Sequence, residues 1–160
     1  MKTRQLQTLW WDWLSTSERL LRFLHEQTAA LVLRDVLRVE KLQVDLDALI
    51  SKLGEIDREA VTCLRELAGE LGTEFHLRGL MQVLEKAEAQ QLHGLANRVK
   101  VAARNVQNVL AKNRALLESE MTYINGTLTL LARAVSDSQG IYRSSSHAVV
   151  SSAITVDTAA

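Results

Sequence analysis

The stretch MTYINGTLTLLARA, residues 121–134, admits two readings, a hairpin or a helix, and the choice decides the fold. Asn125-Gly126 sits between β-branched and alternating residues (Thr122, Tyr123, Ile124, then Thr127, Leu128, Thr129, Leu130), a strong local signal for a two-residue hairpin. The longer pattern points the other way. Leu92, Leu95, Val99, Ala103, Val106, Leu110, then Asn113, then Leu117, Met121, Ile124, Leu128, Leu131 and Val135 follow one another in steps of three and four only. That phase passes through Asn125-Gly126 without a break, and it predicts one helix of about 50 residues starting near Gln82 to Glu85. A hairpin would need a further strand to stabilise it, and no other segment offers one. The stretch is therefore expected to be helical but weak, because Gly126 costs roughly 1 kcal/mol relative to Ala and each β-branched residue a few tenths. Such a segment needs tertiary or partner contacts to stay formed.

Two more seams lie upstream. Leu42, Leu46, Leu49, Leu53, Ile56, Ala60, Leu64, Leu67 and Leu71 predict a second long helix, with Gly69 and Gly72 suited to end it. Leu6, Trp10, Trp13, Ser17, Leu20, Leu24, Thr28 and Leu31 predict a first, ending before Asp35. Between the second and the last lies TEFHLRGLMQ, where Thr73 is placed to cap a short helix and Gly79 to end or kink it. The expected fold is all-α: an antiparallel bundle of three long helices plus a short helix, residues 1–135. From Ser136 seven serines and almost no charge predict a Ser-rich flexible C-terminal tail, 136–160.

Composition agrees. The 160 residues contain no proline, 4% aromatics and 47% hydrophobic residues, which suits long helices around one core. Nineteen basic and nineteen acidic residues cancel, so no whole-protein field recruits nucleic acid or an anionic membrane. Asp12 and Glu18 interrupt what would be the apolar core of a secretory signal, and the uncharged runs 121–132 and 144–156 are too short to span a membrane. A single Cys63 excludes an intramolecular disulfide framework and fits a reducing compartment. A cytosolic protein without membrane insertion is expected.

Catalytic and metal-binding patterns fail on spacing. His25, His76, His93 and His147 lack a second His or a Glu one helical turn away, and no Glu-x-x-His occurs. Cys63 has no His nearby in sequence and reads as a buried thiol. With no Gly-rich phosphate loop either, no enzyme and no cofactor are expected. Arg98, Lys100, Arg104, Lys112 and Arg114 form an acid-free run, read as a solvated helix face rather than a nucleic-acid stripe because aromatics are not interleaved. Trp10 and Trp13 fall on the first seam, whereas Trp11 falls off it and is either a partial core residue or an anchor for another protein. Asn113 is the polar member of the last seam. It either fixes register through an interhelical hydrogen bond or marks where the helix passes from core to a partner surface.

At NRALLESEMTYINGTLTLLARA the chain resembles the FlgN family of flagellar type III export chaperones, through Asn113, Leu116, Leu117, Ile124, Leu128 and Leu131. Gly140 and Tyr142, within QGIYRSS, stand in reversed order to the family's tail pattern. The resemblance implies a cytosolic chaperone that binds the C-terminal helical segments of hook-filament junction (hook-associated) proteins and presents them to the export apparatus. The partner-binding residues it implies are Asn113, Leu116, Leu117, Met121, Ile124, Leu128, Leu131 and Tyr142. Monomer and homodimer are both open. The rival is a structural coiled-coil stalk or rod component of an export machine, but a stalk should keep its heptads to the end and lack a Ser-rich tail.

Overall fold

The computed structural model describes the backbone of residues 2–157 and the side chains of residues 2–140. Its elements are α1 (Lys2–Val32), α2 (Val36–Leu71), α3 (Leu77–Val83) and α4 (Lys86–Asp157). Residues 121–134 are helical throughout, so the long-range phase prevails over the local hairpin signal. Within that stretch the hydroxyls of Thr127 and Thr129 donate to the carbonyls of Tyr123 and Asn125, four residues back. Threonine's polar atom is thereby satisfied on its own helix.

The chain divides into two compact units, residues 1–116 and 117–160. In the first unit α1, α2 and the start of α4 form the expected bundle, with successive long helices antiparallel. Lys2 at the start of α1 pairs with Glu66 and Glu70 near the end of α2, and Arg38 at the start of α2 lies 3.8 Å from Glu26 of α1. Two core clusters follow from that topology. At one end Leu6, Ala60, Cys63, Leu67, Leu80 and Leu92 pack together; toward the other, Leu20, Leu24, Leu42, Leu46, Leu49, Leu53 and Val106 do so. Leu6 beside Leu92 and Leu20 beside Val106 make α1 and α4 parallel, with α2 running against both. Trp13 and Trp10 lean on the two clusters as half-buried flanks. Cys63 is buried, its thiol donating to the Lys2 carbonyl at 3.6 Å. Burial, more than the nearby carboxylate of Glu66, pushes its pKa up, which keeps it a neutral, apolar packing group.

α1 and α2 each close with a left-handed residue. Gly72 (φ 59°) donates to the Gly69 carbonyl while Thr73 donates back to Ala68, the paired bonds of a Schellman motif. Arg34 (φ 56°) does the same at the end of α1, with Arg34 N–H to Leu31 and Asp35 N–H to Ala30. Asp35 then caps α2 by accepting from the Arg38 N–H at 3.1 Å.

The short helix departs from expectation in its cap. His76, not Thr73, caps α3, its Nδ1 accepting from the Gly79 N–H at 3.3 Å. Thr73 is already committed to ending α2, and Gly79 neither ends nor kinks α3 but lies inside it. A Cβ on Gly79 would stand 2.8 Å from Thr73 Oγ1 and 3.0 Å from His76 Nδ1, so the glycine is there for close approach. α4 starts at Lys86, just after Leu84 in extended conformation, and its backbone stays helical through the Ser-rich segment as far as Asp157.

Candidate functional site

The last seam keeps its period from Leu92 to Val135, but its burial does not. Leu92, Leu95, Val106 and Asn113 are buried and Val99, Ala103 and Leu110 partly so. Leu116 is half-buried, Leu117 is 37% exposed, and from Met121 to Gly140 every described residue is exposed. Met121, Ile124, Leu128, Leu131 and Val135 thus form an apolar stripe with nothing over it in the structure, each 50–61% exposed. Large aliphatics at three-and-four spacing without cover differ from the scattered surface leucines of an ordinary soluble domain.

Asn113 marks the change. It is 2% exposed, and its amide group donates to the Leu24 carbonyl and to Gln27 Oε1, both at 2.9 Å. Its Oδ1 accepts from the Thr28 hydroxyl. The Leu24 carbonyl fixes the orientation of the Asn113 amide, since the reverse would set oxygen against oxygen. The interhelical hydrogen bond is therefore present, and Asn113 lies in the core of the first unit, with its side chain committed to α1. Of the other residues singled out from sequence, Leu116, Leu117, Met121, Ile124, Leu128 and Leu131 fall on one helix face. Tyr142 lies outside the residues whose side chains are described.

Two apolar features were not singled out by sequence periodicity. Val32, Leu33, Val36 and Leu37, around the turn between α1 and α2, are 63–72% exposed. A groove of about 590 Å³ runs between α1 and α4, lined in part by Leu14, Leu21, Val101 and Trp11 and by no residue of α2. These residues sit off the seams, where a periodicity count gives them no weight.

The longest helix of the bundle thus carries an apolar stripe that no other described residue covers. No helix among the described residues is long and apolar enough to cross a membrane. A family model described as FlgN protein matches residues 1–148, and the chain belongs to that family, which is one of flagellar export chaperones. No curated protein and no solved structure matches it.

Proposed function

We propose that the chain is a cytosolic chaperone that binds the C-terminal helical segments of hook-filament junction (hook-associated) proteins and delivers them to the flagellar type III secretion apparatus. The observation that carries this is the abrupt end of burial after Asn113 along a seam that stays apolar to Val135. A client helix laid on Leu117, Met121, Ile124, Leu128 and Leu131 would supply the missing cover, in the helix-in-groove manner. Asn113 and Leu116 fix the root of that helix, and Tyr142 adds a contact on the family likeness. Each fully buried aliphatic contributes about 1.5–3 kcal/mol of transfer free energy, much of it offset by ordering both helices. No cofactor or nucleotide is needed for such an exchange of surfaces.

Calorimetry against a C-terminal fragment of a hook-associated protein tests it. Ile124→Asp or Leu128→Asp puts an unpaired charge into the contact, and affinity should fall about tenfold or more while the bundle's helicity persists. Unchanged affinity in both variants would remove the stripe from the binding site.

A further inference from the structure

The groove between α1 and α4 lies wholly within residues 1–116 and is separate from the stripe. Its apolar surface comes from Leu14 and Leu21 on α1 and Val101 and Val106 on α4. Trp11 stands at its rim, 53% exposed, with the Arg98 guanidinium 5.6 Å from its ring centroid. A second, smaller hollow of about 330 Å³ shares Trp11 and Arg98 and carries the groove on to Gln7 and Gln90. From Gln90 to Val106 the α4 edge extends roughly 24 Å at 1.5 Å per residue, the length of a helix of about four turns.

The edges differ in charge. Gln91, Arg98 and Asn105, which line the two hollows, recur every seven residues along the α4 side, and α4 carries no carboxylate between Glu88 and Glu118. The α1 edge contributes Glu18. An occupant therefore meets the Arg98 guanidinium and the side-chain amides of Gln91, Asn97 and Asn105 along α4, and a half-exposed Trp beside an Arg is the pairing found at binding hot spots.

We propose that this groove is a second docking site, for an acidic amphipathic helix of a partner protein, which packs its apolar seam on Leu14, Leu21, Val101 and Val106 and turns carboxylates toward Arg98. Trp11 is its anchor, and the helix completes a fourth position in the bundle. The site goes beyond the client-binding stripe, so the chain can hold two helices at once, on two units.

The test uses the full chain and two labelled 18-residue peptides. Both carry leucines at three-and-four spacing; one has Glu along one flank of that seam and the other has Lys at the same positions. Fluorescence anisotropy should show saturable binding of the Glu peptide, weakening as salt is raised, with the Lys peptide bound about tenfold less tightly. Val101→Glu, at a position 57% exposed and so compatible with folding, should weaken the Glu peptide about tenfold or more. Arg98→Glu should reverse the preference in favour of the Lys peptide. The Ile124→Asp, Leu128→Asp double variant should bind the Glu peptide as the unaltered chain does, which separates this site from the stripe. Absence of binding, equal binding of both peptides, or loss in the stripe variant with none in Val101→Glu would overturn the proposal. So would a dimer, seen by sedimentation of the chain alone, that Val101→Glu dissolves, because the occupant would then be a second copy.

Discussion

Replacing Asn113 with Leu removes the bonds by which α4 is registered on α1, and the structure says which of the freed groups suffer. The Leu24 carbonyl keeps its own helical N–H, and the Thr28 hydroxyl keeps that carbonyl as an acceptor at 2.9 Å. Neither is orphaned. Gln27 is 5% exposed and loses its partner for Oε1, which leaves a buried amide oxygen without a donor. That costs about 1–3 kcal/mol, and fitting the larger Leu into a packed position adds to it. The expected loss is about 2–3 kcal/mol, or on the order of 10 °C in thermal midpoint for a unit of this size.

The pair gives the sharper measurement. Gln27→Met alone leaves one amide hydrogen of Asn113 unpaired, whereas Gln27→Met with Asn113→Leu leaves no orphan amide at either position. The double variant should therefore lose less than the two single losses together, with a coupling of about 1–2 kcal/mol in urea melts. Strict additivity, or a silent Asn113→Leu, would refute the view that a satisfied Asn–Gln–Thr contact sets the register of α4. Should the double variant recover stability, its amide resonances report whether register was what the polar contact supplied.

Two further substitutions probe the backbone. Gly126 has nothing within 4 Å of where a Cβ would stand, so Gly126→Ala should raise helicity around residues 121–131 by up to roughly 1 kcal/mol and leave the melting of the bundle unchanged. By circular dichroism and calorimetry together, it should also tighten client binding if ordering that helix is part of the cost of binding. Arg34 holds the left-handed position that glycine occupies at Gly72, so Arg34→Gly should stabilise the chain by about 0.5–1 kcal/mol in denaturant melts.

Periodicity made the helices legible, because a core must be built from side chains that return to one face every three or four residues. The three seams, the end of α2 at Gly72 and the importance of Asn113 all follow from it. The cap of α3 was not legible. Thr is the better local capping residue, and only the tertiary path shows Thr73 already used at the end of α2, leaving His76 to serve Gly79. Arg34 was invisible for a similar reason, since its type does not announce a left-handed turn. Trp11 stood out in the sequence as a partial core residue or an anchor for another protein, but the groove beside it did not, because Leu14 and Leu21 lie beside their seam and flanking residues matter only once the neighbouring helix is known. Composition places a boundary after Val135, where serines begin; packing divides the chain at Leu116, where cover ends.

That offset between composition and packing bears on how such a chain works. A seam that remained periodic only as far as its bundle would leave the exposed half of α4 polar, and the helix there would rest on propensity alone, which Gly126 and the threonines make poor. A seam that remained buried to its end would have no surface to offer. Residues 117–135 do neither: they keep the apolar spacing of a core while lying outside one, and their middle, Thr122 to Thr129, is poor in strong helix formers. The bundle below, fixed in register by Asn113 and closed by α3, supplies a stable root that does not depend on whether a client is present. Under the proposed function, stability and binding reside in different stretches of one helix, and a client would load and leave without unfolding the part that holds the bundle together.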